Sequence, residues 1–575
     1  MGIKNLINKL FKLLGRYNQL TILFFISLIE VCLFLLFFKI KFETSDDAAM
    51  NVIVAGSYTG SPSERLIFTN IWIGHVLKTL YNQFSNVNWY AWYLIFSFFI
   101  GYLGIQYKMQ QLSNKWGTKL VIHIVVLLLL LPALSLLQFT KVASVLVLAG
   151  FLLILFNSRK SKYEYLCGGI LLVIGSSIRF ESLIMNLFFV APLFILMIVK
   201  LKGKILLSVK CFIVVIGISF ILSLVNNYSY SQDPEWKNYK EINSLRAKIT
   251  AYDYPVFTYN NVKHVLNQKG WKIEDYNMAS MFYFDMGIPK FSKENLLFIE
   301  ENTSKLNNIK SIAFLSYSFV ENINQFFSSY NKSGLLVLLL CTMVILLYRK
   351  DFNSIVVLLL FVSSIILLLW VLGIFTTGNF YKPRVVWSIS LMIYVFILGL
   401  LFYNNNLEFK TFKGVELYII VGMLLFLVFN QISTIIKINN SIKIVSKSKT
   451  IKEYIANKEN QLYVTWVGVE NMNVFDTPTN YKNAYFLGWF LETPFNKRKL
   501  NGYSGVKSNG LYSLCNKEVT WYFENIDNSL FPKRNQGAVI NFYKSNFSEV
   551  EISKNILQIN NKDTIYILKF LVQCK

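Results

Sequence analysis

The chain has 575 residues, of which 54% are hydrophobic and only 15% charged, with a mean hydropathy of +0.44. Soluble globular domains carry about 25% charged residues, so this composition excludes an ordinary soluble protein and points to an integral membrane protein. The net charge of +25 is no signature of nucleic-acid binding, because much of it sits in short loops between apolar runs and no nucleic-acid motif accompanies it.

Residues 1–18 alternate Lys4, Lys9, Lys12 and Arg16 with Leu6, Ile7, Leu10, Phe11 and Leu14. This pattern fits a helix on an anionic cytoplasmic surface, or a positive flank that orients the first span. The run 20–40 is longer than a signal core and lacks a small-residue cleavage site after it, so it reads as an anchor. Apolar runs lie near 19–41, 89–107, 118–137, 141–157, 163–178, 182–200, 204–225, 334–348, 353–376, 385–404 and 415–437. Judged by the roughly 17–25 residues needed to cross, they give about eleven spans, with the fourth, fifth and eighth least definite.

The short loops set orientation. Lys108, Lys115 and Lys119, then Arg159, Lys160 and Lys162, then Lys200, Lys202 and Lys204, then Arg349 and Lys350, then Lys410 and Lys413 all fall on the side of the basic N-terminus. The positive-inside rule makes that side cytoplasmic and, for an odd number of spans, the C-terminus external. The expected arrangement is a multi-pass cell-membrane protein. Residues 1–437 form a transmembrane domain with outward loops 42–88 and 226–333, and residues 438–575 form an extracytoplasmic α/β domain.

In the first loop, Leu66, Ile67, Ile71, Trp72, His75, Val76 and Leu80 recur at helical spacing, which predicts a helix along the membrane interface. Trp89, Tyr90, Trp92 and Tyr93 then make an aromatic belt at the second span. The second loop is punctuated by Asp233-Pro234, Asp253-Tyr254-Pro255, Gly270-Trp271 and Gly287-Ile288-Pro289. It predicts short helices over the mouth of the bundle. In the third segment, 461–467, 519–523 and 564–571 read as strands and 532–544 as a helix, with no phosphate-loop or dinucleotide pattern.

Candidate chemistry begins at Lys41-Phe42-Glu43-Thr44-Ser45-Asp46-Asp47, directly after the first span. A carboxylate there suits a general base for a hydroxyl, or a ligand to a divalent cation. The competing reading is a solvated pair capping the next helix, with Ser45 or Asp46 as N-cap. Adjacent carboxylates need not point the same way, so the sequence leaves open which of Asp46 and Asp47 acts.

A carboxylate motif outside the first span, an interfacial helix, many spans and an external C-terminal domain together resemble the GT-C superfamily of integral membrane glycosyltransferases. Locally the resemblance rests on FETSDDAAMNVIVAGSYTGSP, on GSSIRFESL, and on SLRAKITAYDYP followed by GWKIEDYNM. It implies inverting transfer of a sugar from a polyprenyl-phosphate donor to a glycan, lipid or polymer acceptor on the outer face. Asp46 or Asp47 matches the superfamily's first-loop catalytic carboxylate. The resemblance names no required cofactor, and a divalent cation is an open addition.

Such a donor leaves as a lipid phosphate, so its site needs cations near the headgroup. Arg384 and Lys382 flank a short outward loop, 377–383, against the positive-inside trend; interfacial snorkelling is the competing reading. Arg179 and Glu181 occupy another outward turn, as a functional pair or simply as partners of one another. Arg246, Asp253 and Asp275 in the second loop are candidate contacts to donor or acceptor, each weighed against an ordinary surface role. Glu30 inside the first span reads as structural. His75, His123 and His264 are scattered, and no metal motif is present.

Cys32, Cys167, Cys211 and Cys341 lie in spans and read as small apolar fillers. Cys515 and Cys574 share the external segment and are a candidate disulfide. Two other classes compete with the transferase reading: a transporter or flippase for a lipid-linked saccharide, and a non-catalytic subunit of glycan assembly. Few charges deep in the spans count against the transporter, and intact carboxylates and cations weigh against the assembly subunit.

Overall fold

The computed structural model describes residues 19–112, 116–157, 161–188, 190, 206–249, 259–280, 283–284, 286–307, 332–348, 350, 352–376, 383–403, 415–442, 462–465, 474–475, 481–504, 511, 518–524, 536–547, 550–560 and 563–572. The basic stretch 1–18, most of the sixth apolar run, Asp253, Lys382, Cys515 and Cys574 lie outside them.

The first part of the chain comprises α1 (Gln19–Phe37), β1 (Lys41–Phe42), α2 (Ser45–Val54), α3 (Ile71–Gln83), α4 (Trp89–Gln110), α5 (Trp116–Ser135), β2 (Leu136–Leu137), α6 (Phe139–Leu155), α7 (Lys162–Ile178), α8 (Phe180–Phe188) and α9 (Leu206–Ser231). Four shorter helices follow: α10 (Pro234–Ala247), α11 (Tyr259–Gln268), α12 (Ile273–Ser280) and α13 (Lys293–Asn307). Next come α14 (Lys332–Tyr348), α15 (Phe352–Thr376), α16 (Pro383–Tyr403) and α17 (Val415–Ser441). The C-terminal part holds β3 (Tyr463–Thr465), β4 (Ala484–Phe486), α18 (Pro494–Ser504), β5 (Glu518–Glu524), α19 (Gln536–Asn546), β6 (Val550–Asn560) and β7 (Asp563–Val572).

Long apolar runs must bond every backbone N–H and C=O within the segment, and the helix does this. Among the described residues α1, α5, α9, α15 and α17 are long and apolar enough to cross a membrane. α7 and α8, bent by 120° against one another, make a sixth crossing if they count as one. α6, α7 and α14, each of 17 residues, correspond to the three least definite runs. The chain is a multi-pass helical membrane protein; the expectation of about eleven spans depends also on the shorter apolar helices and on residues outside the described set.

α1 buries Leu23, Ser27, Val31 and Phe34 against α4 and leaves Phe25, Ile29, Leu36 and Phe37 exposed. That apolar outer face is what lipid would cover. Between α1, α4 and α5 lies a polar cluster: Tyr102 donates to Glu30 at 2.6 Å, and His123 Nε2 stands 2.6 Å from the other Glu30 oxygen. Glu30 is thus a structural polar link between helices. α6 and α7 approach very closely. A Cβ on Gly150 would stand 2.7 Å from the Gly168 carbonyl, so only a residue without a side chain fits.

The sheet runs β4-β3-β5-β7-β6, with β3 parallel to β4 and β5, and β7 antiparallel to β5 and β6. β3, β5 and β7 overlap the three strands expected from sequence. β4 has three residues, too few to show a period, and β6 is an edge strand carrying Glu551 and Lys554. Charge on an edge blunts unwanted pairing and also hides the strand from a hydrophobicity count.

The loop after α9 does not stand apart from this sheet. Leu245, Trp271, Tyr283 and Phe291 share one buried cluster with Val464, Trp521, Phe542 and Phe570. Asp275 ties the two together from a fully buried position. It pairs with Lys290 at 2.6 Å, accepts from the Lys272 N–H at 2.7 Å, and accepts from Asn546 of α19 at 3.0 Å.

Candidate active site

The stretch after α1 is anchored to the bundle before it reaches its acids. β1 pairs in parallel with β2, and the Glu43 N–H extends the pairing to the Leu137 carbonyl at 3.0 Å. α2 then begins. Its N-cap is Thr44, in an extended conformation, one residue before Ser45 and two before Asp46, the positions expected from sequence. Ser45, Asp46 and Asp47 are therefore the first three helical residues, where acids complement the helix dipole. Successive helical residues turn by about 100°, and the two carboxylates face different surroundings.

Asp47 points inward and is fully buried. One oxygen accepts from the Phe139 N–H at 2.9 Å and from Tyr90 OH at 3.1 Å; the other accepts from Thr44 Oγ1 at 3.0 Å. Burial pushes its carboxyl up to about 8, and Asp46 adds to this, while the Phe139 N–H, Thr44 and Tyr90 oppose it. Asp47 is thus an interior group, its carboxyl raised by burial, that fixes α2 to the start of α6.

Asp46 keeps 20% of its side chain exposed. Its Oδ1 accepts from Trp489 Nε1 at 3.0 Å, and its Oδ2 stands 3.5 Å from Arg384 Nη1. Arg384 lies in the first turn of α16, just after Pro383. A cation at a helix N-terminus is disfavoured by the dipole, and here Asp46 compensates it.

Around this pair stand residues that the sequence reading did not single out. Lys141, in the first turn of α6 and almost completely buried, pairs with Glu43 at 3.0 Å and lies 5.7 Å from the Trp387 ring. The second Glu43 oxygen is enclosed and has no hydrogen-bond partner among the described residues. Phe68 meets Trp489 edge to face at 5.0 Å and stacks on Phe139 at 6.1 Å. Arg179 lies 5.8 Å and 5.6 Å from the Phe68 and Phe139 rings and pairs with Glu181 at 2.9 Å. Phe68 follows Ile67, whose φ of +72° is a strained setting for a β-branched residue. The Ile67 N–H is held there by Tyr230 OH at 3.0 Å.

The fold therefore brings Asp46 and Arg384 into contact, seats Asp47 beneath them, and links Arg179 to the group through the Phe139 and Phe68 rings. Arg246 bonds Asn243 on its own helix at 2.7 and 3.1 Å. It lies two turns from Tyr239, whose hydroxyl donates to the Trp489 carbonyl at 2.9 Å. Asp275 is engaged in the join described above. Lys141 carried one legible signal, a lysine inside an apolar run. Nothing in the sequence ties Trp489 to Asp46. Among the described residues no set of three His, Cys, Asp or Glu side chains is placed to hold a metal ion, since Asp46 and Asp47 face different ways and Asp46 opposes a cation.

No protein-family model and no curated protein matches the chain. Among solved structures the chain is similar to ArnT from Cupriavidus metallidurans bound to undecaprenyl phosphate, with 10% identity and a TM-score of 0.35, over 95% of this chain and 97% of that one. At that score the likeness sets no residue correspondence and assigns no activity.

Proposed function

We propose that the protein is a membrane glycosyltransferase of GT-C type, moving a sugar from a polyprenyl-phosphate donor to a glycan, lipid or polymer acceptor on the outer face. The supporting observation is the setting of Asp46: a partly exposed carboxylate just beyond the first long apolar helix, facing one cation and one neutral donor. Asp46 accepts the acceptor's hydroxyl proton as that oxygen attacks the anomeric carbon. The new C–O bond forms on one face while the bond to phosphate breaks on the other, so the configuration inverts and the lipid phosphate leaves with the electron pair. Arg384, with Arg179 nearby, supplies positive charge for that leaving group. Asp47 takes no proton from substrate; it holds the helix that carries Asp46. In this reading the N-terminus is cytoplasmic and the C-terminal part external.

The flippase reading draws on the ionisable groups between spans, Glu30 with His123 and Lys108 with Glu164. One experiment separates the two. Purified protein in nanodiscs is given polyprenyl-phosphate hexoses and pentoses labelled in the sugar, together with extracted cell-surface glycan and lipid as acceptors, and release of lipid phosphate is followed with transfer of the label. The transfer reading expects turnover that Asp46→Asn abolishes and Glu30→Gln spares. Turnover indifferent to Asp46 would remove it.

A further inference from the structure

We propose that Trp489 is a positioning residue for Asp46, delivered by the C-terminal segment, so that the first loop holds its carboxylate in working geometry only when that segment is docked. The kinetic part of this inference rests on the transfer reading; the contact itself does not.

Trp489 is held on several sides. Its ring stacks on Phe490 at 4.1 Å and meets Phe68 edge to face, and its carbonyl takes the Tyr239 hydroxyl. The turn before it starts at Gly488, with φ at +84°, a conformation other residues rarely adopt. With the ring so placed, the indole N–H, which can only donate, goes to Asp46.

The segment is in turn clamped to the first loop, a few residues beyond α2. The Tyr481 N–H donates to the Ser57 carbonyl at 2.7 Å. The Tyr58 ring stacks on Phe486 at 4.6 Å, and its hydroxyl donates to Asn496 and accepts from the Phe486 N–H. Lys499, half-buried, sits 3.4 Å over the Tyr58 ring and donates to the Tyr481 and Ala484 carbonyls at 2.7 and 2.8 Å. The carboxylate on α2 and the indole that binds it therefore belong to two segments joined at Tyr58.

A hydrogen bond to a carboxylate favours its charged form. It also fixes which lone pair remains free for the acceptor. The charged and titratable groups around Asp46 are Arg384 from α16, Asp47 on its own helix, Tyr90 from α4 and Tyr239 from α10. Trp489→Phe leaves these in place, keeps the aromatic packing and deletes the N–H.

The test has two arms. In the first, protein labelled with ¹⁵N at the indoles is studied in nanodiscs, and the Trp489 N–H is assigned as the resonance absent from Trp489→Phe. It should shift with pH and move on Asp46→Asn. A resonance indifferent to Asp46→Asn overturns the inference whether or not the protein transfers sugar. In the second, Trp489→Phe should lower kcat by about tenfold or more while KM for the donor stays close to that of wild type. Tyr58→Phe, which loosens the clamp without touching Asp46, should act on kcat in the same direction. An unchanged kcat in both variants, or a defect carried by KM alone, overturns the positioning role. A responsive indole in a protein that cleaves no donor removes the transfer reading and leaves the Trp489–Asp46 coupling standing.

Discussion

Asp46 and Asp47 are chemically identical and adjacent, yet their surroundings differ, one partly exposed beside a cation and the other fully buried. The raised Asp47 carboxyl has a consequence for stability. An unfolded aspartate titrates near about 4, whereas the folded one is pushed up to about 8. Between those values the folded state binds more protons, so its contribution is complete below the lower value and is lost as pH rises toward the upper one. Asp47→Asn has no proton to lose, and its amide can accept from Tyr90 and Phe139 while donating to Thr44. We expect wild type to lose stability relative to Asp47→Asn between pH 5 and pH 8.5, by an amount on the order of a few kcal/mol. Parallel melting curves across that range would contradict this. Lys141 and Glu43 pose a different case, since each is the other's counterion in a closed site. Lys141→Met should cost about 3–5 kcal/mol, and Glu43→Gln in the same protein should recover much of it, which a double-mutant cycle in chemical denaturation can measure.

Among elements, the α6–α7 contact controls where Lys141 and Arg179 stand, because one helix carries Lys141 in its first turn and the other is capped by Arg179. Gly150 makes that approach feasible. Gly150→Val should push the helices apart and lower stability by about 1–3 kcal/mol; a melting temperature that rises instead would show the contact to be looser than described. The element scale is also where the sequence was most legible. Apolar runs announced the helices, and short segments rich in β-branched and aromatic residues announced β3, β5 and β7, because an element of several residues leaves a signal in the chain. β1 and β2, two residues each, leave none, and their pairing is decided by how α1 and α5 end. The cap of α2 stands one or two residues before Ser45 and Asp46 for a related reason: Thr44, Ser45 and Asp46 all suit a cap, and the β1–β2 pairing selects among them.

Across the whole molecule, the site joins segments that sequence order keeps far apart. The acids after the first span and the odd cation at Arg384 could be noticed from composition and topology alone. Their contact could not, and Trp489 reaches Asp46 from 443 residues away. The C-terminal sheet and the loop after α9 share one core, so disturbing their join should be felt at Asp46. Asp275→Ala, which leaves Lys290 and Asn546 without their partner, should weaken the docking of Trp489 and lower turnover even though Asp275 touches no reacting atom; full activity at unchanged stability would contradict that coupling.

In the proposed mechanism Asp46 removes a proton from the acceptor. Azide attacks without needing a base, so it can bypass a missing one. With polyprenyl-phosphate sugars, Asp46→Ala should be inert in buffer, and added azide should restore cleavage, releasing a glycosyl azide of inverted configuration. Unimpaired transfer by Asp46→Ala, or a defect that azide leaves untouched while the donor still binds, would contradict the assignment of Asp46 as the base.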